Sequence, residues 1–136
     1  MSSMSKTHAT GRIDVKSYEP QPYEEVEEGP KLVEIQVTET FSGDIEGEGV
    51  VRFLQAIRED GSASFVGIER VSGSVGGRSG TFLLQDAGTL EGSTVKGEWS
   101  VVPGSGTGEL AGLRGEGGFE ADLGQHASIT LDYWFD

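Results

Sequence analysis

The stretch Val101-Val102-Pro103-Gly104-Ser105-Gly106-Thr107-Gly108-Glu109-Leu110-Ala111-Gly112-Leu113-Arg114-Gly115 decides the fold. It has no room for a helix and too much glycine for an ordinary strand, so it reads as a wide backbone turn feeding the next strand of an all-β barrel. Before it, Val95 to Val102 reads as a strand containing Trp99; after it, strands fall at about Gly115 to Ala121 and Ser128 to Phe135.

Working back from that turn, the period of two persists. Val33, Ile35, Val37, Glu39 and Phe41 share one face. Val51, Phe53, Gln55 and Ile57 share a face of the next strand, after a turn placed at Gly43 to Gly49. Asp60-Gly61 suits the φ > 0 geometry of a tight hairpin, Ser64 to Val75 follows as a strand, and Gly76-Gly77 and Glu91-Gly92 mark turns on either side of a strand over Gly80 to Asp86. Arg12 to Tyr18 alternates as a half-buried strand, whereas residues 1–9 read as an unstructured start. Residues 19–30 carry three prolines among acids, which predicts an extended acidic loop long enough to fold over a barrel mouth. The sum is one domain over residues 10–136, a closed antiparallel barrel of about eight strands without substantial helix. A meander of that number closes because closure removes unpaired edges. Its interior is just wide enough to be packed with side chains or to hold one small ligand.

Composition narrows the function classes. Ten Lys and Arg against 23 Asp and Glu give a net charge of −13, a field that repels phosphate backbones and anionic headgroups. Nucleic acid and membrane surfaces are therefore not expected partners. The acidity serves solubility or a bound cation or basic partner. No cysteine is present, so there is no disulfide, thiolate metal site or Cys nucleophile. Absence of an apolar run of about 20 residues argues against a spanning helix, and a polar first ten residues suggest a cytoplasmic protein.

Gly61-Ser62-Ala63-Ser64-Phe65-Val66-Gly67-Ile68-Glu69-Arg70, Gly77-Arg78-Ser79-Gly80-Thr81-Phe82-Leu83-Leu84-Gln85 and the segment from Pro103 to Gly118 together resemble a bacterial family, domain of unknown function 3224, over roughly residues 10–136. The resemblance implies a small closed barrel similar to that of allene oxide cyclase. It implies no activity and carries no catalytic residue onto this chain.

Several motif matches fail on their surroundings. Gly106-Thr107-Gly108-Glu109-Leu110-Ala111 fits a dinucleotide fingerprint, but the glycines that follow forbid the helix it needs. Gly77-Arg78-Ser79-Gly80 lacks the glycine of a nucleophile elbow, because position 81 is Thr, and only His8 and His126 are available as bases. Asp44 to Gly49 resembles a calcium loop, yet the position of the bidentate Glu is Gln55. No metal site or cofactor is expected.

What remains lies within strands. With Phe65, Gly67, Glu69, Val71 and Gly73 facing inward, Glu69 becomes a carboxyl group in an apolar lumen and a tentative catalytic residue; the opposite register would turn Val66 and Ile68 inward instead. Gln55, Gln85, Trp99, Tyr133, Phe53, Phe65 and Phe82 are the candidate ligand-binding residues, with Arg114 at a barrel end as a clamp for a carboxylate. The leading expectation is a lumen that binds a small, largely apolar organic molecule. The alternatives are a cofactor-free isomerase or cyclase using Glu69, and a solidly packed barrel acting through protein contacts. An outer stripe around Val66, Ile68 and Trp134 is a candidate homo-oligomer contact.

Overall fold

A computed structural model describes residues 5–24 and 26–136. Eight antiparallel strands close a barrel in sequence order: β1 (Thr7–Glu24), β2 (Lys31–Gly43), β3 (Ile45–Ile57), β4 (Ala63–Val75), β5 (Arg78–Glu91), β6 (Thr94–Val101), β7 (Leu113–Asp122) and β8 (Ala127–Phe135). β8 zips back onto β1 from Thr7↔Tyr133 to Ile13↔Ala127. The only helical segment among the described residues is the 3-10 turn Gly108–Leu110. Alternation therefore predicts the right architecture, for the reason that half-buried strands need it: one face meets the core, the other water.

Several boundaries differ from the sequence reading, among them the end of β5, which runs on to Glu91 instead of stopping at Asp86; three others bear on the barrel's shape. β1 starts at Thr7, inside the expected unstructured segment, while residues 1–4 lie outside the described residues. Its far end absorbs much of the expected acidic loop: Pro20 pairs with Ile35 and Pro22 with Val33, and only the stretch after Glu24, which includes the undescribed residue 25, bridges to β2. Proline is tolerated there because β1 overshoots β8 by ten residues or so and has an open edge, where a missing N–H breaks no ladder. A register shift between Val15 and Ser17 brings Tyr18 opposite Val37. The third difference is at Gly43, which ends β2: only Asp44 separates the strands, and Gly47 and Gly49 already belong to β3.

The glycine-rich connection between β6 and β7 is a stopper. Val102 N–H donates to Leu83 O and Thr107 N–H to Thr81 O, so the segment continues the sheet edge that β6 leaves uncovered. The Thr81 and Leu83 amides donate in turn to Thr107 Oγ1 and Ser105 Oγ. This lowers Leu110 into the end of the barrel, where it is 0% exposed beside Val71, Val75, Phe82, Leu84, Leu113 and Leu131. A second apolar cluster, Val33, Ile35, Val37 and Val51, lines the wall towards the other end. The barrel is thus solid below and differently filled above.

Replacing a fully buried leucine by alanine removes contacts and leaves a cavity, at a cost of about 2–5 kcal/mol. Leu110→Ala is expected to lower the thermal midpoint by roughly 10 °C; a loss under about 2 °C would show that the stopper does not hold the closed end together.

Candidate functional site

Inward positions along three strands carry acids immediately above the packed end. In β2 the order is Val37, Glu39, Phe41; in β4 it is Gly67, Glu69, Val71; in β5 it is Leu84, Asp86, Gly88. Phe41, Val71 and Leu84 belong to the solid core below, whereas Glu39, Glu69 and Asp86 face a cavity of about 510 Å³ above. The three carboxyl groups are its floor. They are 6%, 1% and 2% exposed respectively. The lumen is hollow above this floor, so the strands do not build a barrel packed solid throughout.

Four aromatic rings form a continuous wall over the same space, and the chain of contacts runs on to Phe41 in the core below. Phe53 meets Phe65 edge-on at 5.1 Å between centroids, Phe65 stacks on Phe119 at 6.2 Å, Phe119 lies 5.1 Å from Trp99, and Trp99 stacks on Phe41 at 6.2 Å. Trp99 is paired with Gly117 in the sheet, and its Nε1–H donates to Thr130 O at 2.9 Å. The indole donor is therefore occupied by backbone and offers nothing to the acids. Gln55, 9% exposed, joins the lining nearer the mouth. Because β1 leaves β8 after Ile13, the cavity opens sideways between Val15 and Tyr18 on one lip and the Leu123–His126 hairpin on the other.

No Lys or Arg side chain among the described residues meets the acid floor. All ten Lys and Arg lie on the outside or at rims: Arg114, for example, pairs with Asp136 at 3.3 Å, and Arg52 with Glu34 at 3.6 Å. Gly49, inward on β3, is the accommodation that makes the cluster fit, since a Cβ there would strike Glu69 Oε2 and the Phe41 ring. Glu69 leans across this gap towards Glu39, close enough for one carboxyl to donate to the other. Such a bond requires one proton between them.

Burial sets the protonation. It pushes Asp86 up to about 8, with the charge of Glu39 adding to the effect. It pushes Glu39 up to about 7, against the opposing influence of the Glu69 hydrogen bond. Glu69 is raised well above the carboxylate range by burial first, then by the charges of Glu39 and Asp86 and by donating to Glu39. Apart from that shared proton, neither Glu69 Oε2 nor Asp86 Oδ1 has a hydrogen-bond partner among the described residues. Near neutrality the floor accordingly holds a proton donor, Glu69, beside a group changing charge, Glu39.

Of the residues nominated from sequence, Glu69, Gln55, Phe53, Phe65 and Trp99 come together around the cavity. Gln85 does not: with Phe82 and Leu84 inward, position 85 has the opposite parity and is exposed on the outer face. Phe82 and Tyr133 point inward but sit in or against the solid end, outside the cavity lining. Arg114, expected at a barrel end, pairs with Asp136 and lies outside the cavity lining. Glu39 and Asp86 were not nominated, although their parity with Val37 and Leu84 is visible in the sequence. On the outer face Val66 and Ile68 are exposed together with Val50 and Leu54, while Trp134 lies apart beneath Lys6.

An eight-stranded closed barrel with a lateral mouth and an acid-floored, aromatic-walled lumen is the class these features define. The chain belongs to the family of proteins of unknown function DUF3224, whose pattern it matches over residues 9–133. It is similar to a protein of unknown function from that family in Shewanella oneidensis MR-1, known from a crystal structure at 1.84 Å resolution. The two share 32% identity, with a TM-score of 0.79 over 96% of this chain and 98% of the other. No functionally curated protein matches it. No helix among the described residues is long and apolar enough to cross a membrane.

The raised carboxyls make stability depend on pH in the sense opposite to surface acids. The native floor keeps protons that the unfolded chain gives up above its ordinary carboxylate range, so stability falls as pH rises from about 5 through about 8. Each extra proton retained costs about 1.4 kcal/mol per pH unit over that window. The thermal midpoint is expected to drop by several degrees between about pH 5 and pH 8, and Asp86→Asn is expected to flatten the drop. A midpoint that rises over the window would contradict buried, proton-bearing acids.

Proposed function

We propose that this protein binds a small, largely apolar organic molecule in the barrel lumen. The observation that carries the reading is a cavity of about 510 Å³ whose walls are aromatic and aliphatic, with three acids grouped on its floor and its other polar groups towards the mouth. Ligand sites have this combination and size: apolar surface for affinity, a small set of polar atoms for orientation. The lateral mouth beside Tyr18 and the Leu123–His126 hairpin gives such a molecule a way in without opening the sheet.

One observation favours a second reading, a cofactor-free isomerase or cyclase. Glu69 as the protonated group and Glu39, pushed up to about 7, stand in contact at the floor of the same pocket. Paired groups whose protonation states differ near working pH are what proton transfer within one substrate needs. The aromatic wall would hold a flexible substrate folded, reducing the entropy of reaching its reactive shape. In this reading Glu69 donates a proton and Glu39 accepts one, with Asp86 setting the charge of the floor.

Native mass spectrometry of protein purified from its own host tests occupancy: a retained small molecule is expected. Ala121→Trp, which narrows the lumen near its mouth and leaves the acids in place, is expected to abolish retention while preserving the fold. Retention unchanged in that variant would place the bound molecule elsewhere. Turnover of an identified ligand that survives Glu69→Gln would remove the isomerase reading and leave the binding one.

A further inference from the structure

We propose that the ligand of this lumen is an organic ammonium: an apolar amine whose charged nitrogen rests on the floor formed by Glu39, Glu69 and Asp86, with its hydrocarbon body against Phe53, Phe65 and Phe119. This deepens the lumenal-binding reading and rests on it.

The argument starts from what the floor lacks. Glu69 and Asp86 line the cavity, and Glu69 Oε2 and Asp86 Oδ1 are buried with no donor from the described residues beyond the proton Glu69 shares with Glu39; orphaned buried acceptors are costly for a fold to keep. The described residues supply no remedy. Trp99 Nε1 is committed to Thr130 O, and every Lys and Arg side chain lies outside the lumen. A neutral hydroxyl ligand would bring one donor; an ammonium brings several, together with the charge that three desolvated acids lack. The aromatic chain from Phe53 to Trp99 presents ring faces that attract a desolvated cation over a neutral or anionic group. At long range the net charge of −13 raises the local concentration of cations and excludes anions. The described acids and histidines do not form a group of three or more that could hold a metal ion.

Binding should then be linked to protons. Titratable groups facing the lumen are the three acids on β2, β4 and β5, with Tyr18 on β1 at the side opening, and Asp14, Asp122 and His126 at its rim. Free, the floor holds protons at neutral pH because burial has raised its acids; an ammonium on the floor stabilises their ionised forms and expels protons. Its affinity therefore rises with pH across the range where Glu39 and Asp86 titrate, from about 7 to about 8.

The test is titration calorimetry of the whole protein with phenylbutylamine, phenylbutanol and phenylbutanoate at about pH 6 and about pH 8. Phenylbutylamine is expected to bind about tenfold or more tightly at the higher pH, with a heat that varies with buffer ionisation enthalpy as protons are released. Phenylbutanol is expected to bind more weakly and equally at both, and phenylbutanoate weakest. Glu39→Gln and Asp86→Asn, each checked for native circular dichroism, should reduce the preference for amine over alcohol. Equal affinity for amine and alcohol at both pH values would overturn the ammonium proposal while leaving lumenal binding intact. Failure of all three probes, with no molecule retained from the host, would overturn the binding reading as well.

Discussion

Three carboxyl groups held inside a closed wall without a cation are the constraint to which the rest of this barrel answers. An unpaired buried charge costs several kcal/mol, so the acids reduce their charge by holding protons. That places Asp86 up at about 8 and Glu39 at about 7, with Glu69 raised well above the ordinary carboxylate range. The arrangement depends on local detail: Gly49 leaves the gap into which Glu69 leans, and Trp99 satisfies its own donor on the opposite wall. A lysine or arginine in the lumen would have stabilised the cluster internally, but the barrel keeps all of its cations outside.

Stability must then come from elsewhere, and the two ends of the barrel divide the task. The lower end is filled by large side chains and sealed by the glycine-rich connection carrying Leu110. The upper part gives up close packing for a cavity, and β1 gives up half of its pairing with β8 to leave a side opening. Sites that bind or react are commonly the less stable parts of a fold, supported by rigid parts beside them.

Much of this was legible in the sequence, and what was not has physical causes. Period-two alternation and glycine pairs such as Gly76-Gly77 place nearly every strand, because each strand must separate core from water. The same alternation contains the floor: Glu39 sits in register with Val33, Ile35, Val37 and Phe41, and Asp86 with Phe82 and Leu84. Choosing Gln85 beside Phe82 breaks that parity. Position along the barrel axis is harder to see. Phe82 and Tyr133 face inward but lie in or against the plug, and their height follows from pairing register and from the Leu110 stopper, which no local pattern encodes. The prolines at 20 and 22 suggest a loop because they cannot sit in a central strand; only the overshoot of β1 past β8 reveals the edge that accepts them.

Carbon-13 NMR titration of the Asp and Glu side-chain carboxyls, in ligand-free protein, addresses the floor most directly. Three resonances, assigned through Glu39→Gln, Glu69→Gln and Asp86→Asn, should titrate above about pH 6, well clear of the surface acids near their usual value of about 4. If every carboxyl resonance completes its change below about pH 5, the acids are solvated or paired in solution, and the cation-free floor described for this lumen does not exist.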